Sequence, residues 1–203
     1  MAKHVVAPAE HFYDLPDKMS LESAALIEPL AVAWHAVNLS PFKVGDHAMV
    51  VGGGPVGICV VQILKLQGAK SILVAELMEN RKKLALDFGA THIVDPREAD
   101  VPQRIQELTD GIGADVVFDT AGVEKALNGA IESCRPHGTV VNIAVWERQP
   151  NVSVNELMYN EVKYMGAALY DEGSFRNVIR ALSYGEFVYP HPRSLPTRPD
   201  QQC

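Results

Sequence analysis

The stretch HAMVVGGGPVGICVVQILKLQ, residues 47–67, decides the fold of this chain. Its apolar start predicts a buried strand at 47–52, and the apolar residues after the glycines predict a helix at 54–67. Between the two, residues 52–57 follow the spacing G-x-G-x-x-G, directly after a strand and directly before a helix. This order predicts a strand–loop–helix unit whose loop lies at a helix N-terminus, where anions bind well.

The residues of this loop have separate expected roles. Gly52 permits a tight turn, Gly54 lets the backbone approach a diphosphate, and Gly57 lets the helix pack close to the strand. Pro55, followed by Val56, suits the first helical turn because no helix carbonyl could accept an N–H there. A glycine-rich turn that binds nothing has the same pattern, so the loop needs support from its context.

Outside this unit, apolar runs alternate regularly with helical segments. Further strands are predicted at 71–76, 92–95, 114–120, 138–144 and 163–169, and helices at 79–88, 101–109, 123–134 and 173–184. Strands that are apolar on both faces and separated by helices indicate a parallel sheet covered on each side. The fold class expected is therefore α/β, a doubly wound parallel sheet (Rossmann) of about six strands with an N-terminal helical segment.

The chain divides into three predicted parts. They are an N-terminal segment with a linking helix at 1–45, a Rossmann unit at 46–184, and an irregular tail at 185–203. In the first part a helix is expected to start at Ser20, to break or kink at Glu28 and then to restart, because Pro29 follows inside the apolar run. The tail contains four prolines and has no periodicity.

Composition excludes several classes of protein. The 203 residues are 47% hydrophobic and 21% charged, close to the globular average, with a net charge of −7. This charge argues against nucleic-acid binding and against docking on an anionic membrane. Three scattered cysteines without a CxxC-like spacing fit a reducing compartment. The N-terminus lacks the apolar run of a signal peptide, and no stretch is long enough to span a membrane, so a cytoplasmic location is expected.

An acid stands where a dinucleotide site needs one. Glu76 ends the second predicted strand, 19 residues after Gly57, the position expected to bind the adenosine ribose hydroxyls. A carboxylate there also repels a 2′-phosphate, which favours NAD over NADP. Arg81 could lie over the adenine, pair with a 2′-phosphate, or be a surface charge beside Lys82 and Lys83.

Further candidates come from the ends of the later strands. Ligands of such sheets lie outside the carboxyl ends of the strands, which brings Asp119, Thr120, Ala144, Val145 and Trp146 beside the cofactor. For Asp119, capping of the next helix is the stronger alternative. Trp146 fits packing or a subunit interface equally well.

Four segments together resemble a known family. AALIEPLAVAWHAV, VGGGPVG, ELMENRKKLALDFGA and VVFDTAGV are similar to the zinc-type medium-chain alcohol/polyol dehydrogenases, in particular the sorbitol and 2,3-butanediol dehydrogenase branch. The resemblance runs from about residue 4 to about residue 184. It implies a six-stranded Rossmann cofactor domain, usually NAD-dependent, and a catalytic zinc that polarises the alcohol oxygen during hydride transfer.

The resemblance also implies roles for individual residues. Glu28 matches a carboxylate in or beside the zinc sphere. The positions that match the family's cofactor contacts are Gly52, Gly54, Pro55, Val56 and Gly57 (pyrophosphate), Glu76 and Arg81 (adenosine), and the nicotinamide-lining segments 143–145 and 167–169, which contain Ala144, Val145, Ala168 and Leu169.

The chain departs from the family in its catalytic part. No cysteine precedes Cys59, and the Gly-His-Glu motif of the family's zinc-bearing domain does not occur. A catalytic zinc needs about three protein ligands, and Glu28 alone should hold no tight metal. His35 could be a second ligand, although a packed histidine is the more common role for such a residue. The sequence therefore indicates an isolated cofactor domain.

Two functions remain open from the sequence. One is an NAD-dependent dehydrogenase of a secondary alcohol or polyol, of the 2,3-butanediol or sorbitol type, which is inactive as this chain alone. The alternative is a non-catalytic NAD(H)-binding module that dimerises through the exposed sixth strand, near residues 164–169. In both cases Glu76→Ala is expected to weaken NAD binding without unfolding the domain.

Overall fold

Six parallel strands form one sheet in the computed structural model, which describes residues 4–185 and 187. The strands are β1 (His47–Val51), β2 (Ser71–Ala75), β3 (His92–Val94), β4 (Ala114–Asp119), β5 (Cys134–Asn142) and β6 (Lys163–Gly166). Their order in the sheet is β3-β2-β1-β4-β5-β6, with every neighbouring pair parallel. This is the doubly wound Rossmann order, so the predicted fold class is confirmed.

Helices cover both faces of the sheet. They are α1 (Leu21–Ala24), α2 (Ile27–Leu39), α3 (Pro55–Leu66), α4 (Glu79–Phe88), α5 (Val101–Leu108), α6 (Glu124–Ser133), α7 (Val154–Tyr159) and α8 (Glu172–Ser183), preceded by a 3₁₀ turn at Ala9–His11. Buried side chains of α2, α3, α4 and α8 form one core, and those of α5 and α6 form the other. None of the described helices is long and apolar enough to cross a membrane.

The side-chain alternation of the strands divides the two cores. In β1, Ala48 and Val50 face the α2–α3 side, whereas Met49 and Val51 face the α5–α6 side, and each is at most 4% exposed. Because both faces are apolar and covered, the strands read as continuous hydrophobic runs. One edge of the sheet therefore carries the carboxyl ends of all six strands, among them Val51 of β1 and Gly166 of β6.

The N-terminal helix is interrupted and restarts as predicted, but at Ala25 and Leu26 rather than at Glu28. Ser20 caps α1 by accepting a hydrogen bond from the Ser23 amide at 3.1 Å, as its position suggests. The chain then leaves the helix at Ala25 and α2 begins at Ile27, so Pro29 lies in the first turn of α2. The first four helical amides have no acceptor inside a helix, so the missing N–H of a proline costs nothing there.

Other boundaries differ from the prediction in small ways. β5 begins at Cys134, where the sequence analysis ended a helix, because Cys134 pairs with Ala114 across an irregular register. β6 ends at Gly166 rather than at 169, and α7 was not predicted. The predicted irregular tail, 185–203, lies outside the described residues apart from Gly185 and Phe187.

Candidate functional site

Two glycines of the loop between β1 and α3 are required by the protein's own packing. Gly52 has a φ of +97°, and a Cβ there would lie 2.9 Å from Thr120 Oγ1. A Cβ on Gly57 would lie 2.0 Å from the carbonyl oxygen of Gly52, far inside contact distance. The tight turn and the close approach of helix to strand that the sequence predicts are both present.

Gly54 is different, because no close contact among the described residues requires a glycine there. Its φ of −71° and ψ of −178° are open to any residue, and it is the N-cap of the 12-residue helix α3. The nearest heavy atom to a Cβ at this position would be Arg81 Nη1, 4.0 Å away. The missing side chain therefore leaves free space directly before a helix N-terminus, with Pro55 and Val56 behind it. That space fits the anion cradle of a dinucleotide.

Glu76 lies at the carboxyl end of β2, beside this loop, and is only 6% exposed. Its Oε2 accepts the Gly53 amide at 2.7 Å, while its Oε1 accepts the amides of Leu77 and Met78 at 2.7 and 2.8 Å. An ionised carboxylate has about four acceptor sites. Three are used by these amides, and the remaining one is on Oε2, the oxygen that accepts from Gly53 of the loop.

Arg81 reaches over the same place. Its Nη1 is 3.9 Å from Glu76 Oε2, and its side chain is 48% exposed. Arg81 lies close to the loop glycines and is also part of the surface of α4, so the choice among the three interpretations made from the sequence stays a prediction. At this exposure the ion pair adds little stability.

An ion cluster around the buried carboxylate of Asp95 was missed by the sequence analysis. The Asp95 side chain is 3% exposed and accepts hydrogen bonds from Lys82 Nζ at 2.5 Å and from Arg97 Nη2 at 2.6 Å. The hydrogen bonds of Arg97, and then of Lys82, hold the pKa of the Asp95 carboxyl well below its usual value. One sequence signal could have found it, namely an acid directly after a strand at the ligand-binding edge.

Asp119, at the carboxyl end of β4, is fully buried. Its Oδ1 accepts the amides of Ala121 and Gly122 at 2.9 and 3.2 Å, so it closes the turn before α6 and is not the cap of that helix, which is Val123. Its Oδ2 has no hydrogen-bond partner among the described residues. Burial raises the pKa of this carboxyl, and the two amides oppose that shift.

Thr120, a predicted cofactor residue, bonds to the backbone of the loop between β1 and α3. Its hydroxyl donates to the carbonyl oxygen of Val51 at 2.8 Å and lies 3.1 Å from that of Gly52. The hydroxyl is thereby committed to the backbone that enters the loop. A role of Thr120 toward a ligand remains a prediction.

The residues predicted to line the nicotinamide follow the carboxyl ends of β5 and β6. Val145 is 94% exposed and Leu169 is 71% exposed, with a positive φ of +55°. Ala144 follows β5 and would contact a Cβ on Gly122 at 3.2 Å, and Ala168 follows β6 and is exposed. These side chains share an edge of the sheet with the loop, as predicted from topology, but they are apolar and open.

Trp146 has a packing role. Its Nε1 donates to Asn142 Oδ1 at 2.9 Å, and its ring packs against the α5–α6 core. The structure therefore supports the structural interpretation of this tryptophan, because its one polar atom is already paired.

A metal site is not formed by the part of the chain that the structure describes. Glu28 is exposed in the first turn of α2, and His35 Nδ1 lies 3.5 Å from Asp171 Oδ2. No group of three His, Cys, Asp or Glu side chains within residues 4–185 and 187 is placed to hold a metal ion. These residues do not fit a catalytic zinc, which needs about three protein ligands.

Comparison with known proteins decides the family. Residues 55–184 match the family described as zinc-binding dehydrogenase. The chain belongs to that family. An (R,R)-butanediol dehydrogenase of Neisseria gonorrhoeae is 35% identical over 171 residues, which are 84% of this chain and 48% of that protein.

Solved structures of dehydrogenases have the same fold. A 2R,3R-butanediol dehydrogenase from Bacillus subtilis superimposes with a TM-score of 0.80 and 38% identity, over 85% of this chain and 49% of that one. A protein described as a zinc-binding dehydrogenase from Sinorhizobium meliloti, solved with NADP bound, gives a TM-score of 0.81 at 26% identity, over 87% of this chain and 53% of that one. The chain spans about half the length of the curated relatives it matches.

Proposed function

We propose that the chain is the NAD(H)-binding part of a dehydrogenase that transfers hydride from a secondary alcohol or polyol, of the 2,3-butanediol or sorbitol type, to NAD. The observation that carries the proposal is Gly54. The protein leaves free space at the N-terminus of α3 that neither backbone geometry nor packing requires. A diphosphate would use this space through backbone amides and the helix dipole.

NAD rather than NADP is supported by the surroundings of Glu76. The buried carboxylate keeps one acceptor site toward the loop, which suits a hydroxyl and opposes a 2′-phosphate. Two basic side chains of this region, Lys82 and Arg97, are already bound to Asp95. Arg81 lies over the loop, but it is beside Glu76.

The chain alone is proposed to bind cofactor without turnover. In the full-length family a zinc ion would polarise the alcohol oxygen, but the described residues supply no set of ligands for it. The predicted role of Glu28 near such a zinc applies only in a protein that provides the other ligands. We therefore assign no chemical step to a residue of this chain.

A pair of glycine variants tests the nucleotide site. Gly54→Ala puts a methyl group where no protein atom is nearer than 4.0 Å, so it should leave the fold intact and displace the diphosphate. Gly129→Ala in α6, where a Cβ also meets nothing, is the matched control. We expect wild type and Gly129→Ala to bind NADH in a fluorescence titration and Gly54→Ala to bind at least about tenfold more weakly. Absence of NADH binding by the wild-type chain would refute the proposal.

Turnover separates the catalytic proposal from simple binding. The reduced-nicotinamide absorbance is followed with NAD, 2,3-butanediol or sorbitol, and added zinc. We expect no turnover from this chain under conditions where a full-length butanediol dehydrogenase is active. Sustained turnover by the chain would overturn the proposed inactivity and would require metal ligands that the described residues do not show.

A second candidate is a non-catalytic NAD(H)-binding module that dimerises through β6. The observation that favours it is the edge position of β6, whose residues are exposed or half-buried, with Tyr164 44% exposed. An unprotected edge strand can pair with a second copy of itself. Sedimentation with and without NADH tests this candidate, and a monomer at all concentrations would contradict it.

Location and partners follow the same proposal. The small ligands are NAD(H) and an alcohol or polyol, and the net charge of −7 still argues against nucleic acid and anionic membranes as partners. The cysteines support a cytoplasmic location. Cys59 and Cys134 are buried free thiols, as is usual for proteins of a reducing compartment.

A further inference from the structure

The cluster around Asp95 reaches the nucleotide site through one backbone carbonyl. Arg97 Nη2 donates to the carbonyl oxygen of Leu77 at 2.7 Å, and also to Asp95 Oδ2 at 2.6 Å. Arg97 Nε donates to Asp95 Oδ1 at 3.0 Å, so the guanidinium is bonded to both oxygens of the carboxylate. A fork of donors in this arrangement fixes the direction of the side chain as well as its charge.

The same peptide segment is held from the opposite side by Glu76. Its Oε1 accepts the amides of Leu77 and Met78, at 2.7 and 2.8 Å. The amides of the turn after β2 therefore bond to the Glu76 carboxylate, and the Leu77 carbonyl bonds to the Arg97 guanidinium. Because the Glu76 carboxylate depends on those amides for its orientation, a shift of the turn would move the oxygen that faces Gly53.

We propose that Arg97, oriented by Asp95, is a positioning residue that holds the Leu77 turn so that Glu76 presents its free acceptor site to a ribose hydroxyl. The proposal rests on the proposed nucleotide function. It assigns a task to two charged residues that are not expected to touch the ligand themselves.

Burial and charge support this assignment. The side chain of Asp95 is 3% exposed and has two cationic partners at hydrogen-bond distance. A buried carboxylate needs such partners, because an unpaired buried charge costs much free energy. Lys82, which also bonds Glu79 at 2.6 Å, anchors the cluster to the first turn of α4. Arg97 is 61% exposed, so its removal should leave both cores intact.

The test is a double-mutant cycle on NADH binding by the full chain. Arg97→Met removes the contact with Leu77, and Glu76→Gln removes the charge that the contact is proposed to orient. Arg104→Met is the matched control, because Arg104 lies on α5 and pairs with Glu107 of the same helix at 2.8 Å. Arg97→Ala repeats the cycle should the methionine variant fail to fold.

We expect Arg97→Met to raise the NADH dissociation constant about three- to tenfold in the wild-type background, the loss of one hydrogen bond. In the E76Q background the same substitution should change it by less than about twofold, because the charged carboxylate that Arg97 is proposed to orient is replaced by a neutral amide. Arg104→Met should bind like wild type. A purely structural role of Arg97 would give the same loss in both backgrounds.

Two results would overturn the inference and they differ from failure of the proposed function. One is unchanged NADH binding by the Arg97 variants, and the other is an equal loss in the wild-type and E76Q backgrounds. If the wild-type chain itself does not bind NADH, the proposed function fails and this inference fails with it.

Discussion

The two halves of the sheet differ in how their carboxyl edges are finished. Around β1, β2 and β3, the polar groups of Glu76, Asp95 and Arg97 are bonded to the chain's own backbone and side chains. Around β4, β5 and β6, the edge presents apolar side chains to solvent, with Val145 94% exposed and Leu169 71% exposed. The difference is one of degree, because Leu77 and Met78 in the first region are also 46% and 54% exposed, well below the values of Val145 and Leu169.

This difference separates binding from chemistry. A site whose dipoles and charges are fixed in advance loses little free energy to ordering when a polar ligand arrives. The half around β1, β2 and β3, which is the proposed nucleotide half, meets that condition through the hydrogen bonds of Glu76 and Asp95. The half around β4, β5 and β6, which is the proposed nicotinamide half, exposes Val145 and Leu169 instead. We therefore expect substitutions in the first half to change fold and affinity, and those in the second to change association.

The largest effect is expected from Gly57→Val in the nucleotide half. Its Cβ would lie 2.0 Å from a backbone oxygen, which no side-chain rotation can relieve, so α3 would have to move off the sheet. We expect a loss of more than about 3 kcal/mol of folding free energy, or no folded protein, by thermal melting followed by circular dichroism.

Gly129→Ala is the control for that variant. It adds the same first carbon atom in open space inside α6, where alanine favours a helix by about 0.5–1 kcal/mol over glycine, so a higher melting temperature is expected. Equal stability of Gly57→Val and wild type would show that helix and strand are farther apart than the structure has them.

The sequence predicted these local features well and the tertiary ones less well. Spacing alone anticipated the close approach at Gly57 and the acid at Glu76, since both depend on one strand–loop–helix unit. It did not predict that three amides already hold Glu76, or that Arg97 bonds Leu77, 20 residues away in sequence. Such contacts depend on the distance between strand ends, which periodicity does not contain.

Glu76→Gln should give the next largest effect and revises the expectation for this residue. A glutamine can accept on one side only, so at least one of the three bonds to Gly53, Leu77 and Met78 is lost together with the charge. We expect the NADH dissociation constant to rise about 10- to 100-fold, the range for a charged hydrogen bond.

Some loss of melting temperature should accompany the Glu76 variants, because the carboxylate is 6% exposed and bonded to the backbone. This differs from the sequence-based expectation of a purely local effect. Unchanged affinity with a lower melting temperature would show that Glu76 is a structural residue and not a ligand of the ribose.

A charge on the edge strand tests the other half of the molecule. Tyr164→Lys places an ammonium group on β6, where it opposes pairing with a second copy. We expect the dimer dissociation constant in sedimentation to rise about tenfold or more, with the NADH affinity unchanged. Leu86→Lys, at a similar exposure of 49% on α4, is the control and should sediment like wild type. The same sedimentation for both variants would exclude β6 as the interface.

Acid should weaken the nucleotide half through Asp95. The pKa of this carboxyl is lowered in the folded chain by Arg97 and then by Lys82, so its contribution to stability is present above the unfolded value of about 4 and is lost as the pH falls below it. The melting temperature of wild type should therefore exceed that of Asp95→Asn at pH 7, and the difference should shrink as the pH falls from about 5 to about 2. A difference that stays constant would mean that the cluster does not hold the carboxylate ionised.

Asp119→Asn should show the smallest effect and the opposite sign. Burial raises the pKa of this carboxyl, so the folded chain holds a proton that the unfolded chain has already released, and its stability decreases as the pH rises from about 4 through the folded pKa. Asparagine keeps an oxygen for the amides of Ala121 and Gly122 and replaces the unpartnered Oδ2 with a neutral group. We expect the variant to melt about 2–4 °C above wild type at pH 7, equivalent to about 1 kcal/mol, and to lose this advantage near pH 4. A variant less stable than wild type at pH 7 would show either that Oδ2 has a partner or that the asparagine NH2 group, buried there without an acceptor, costs more free energy than the carboxylate charge.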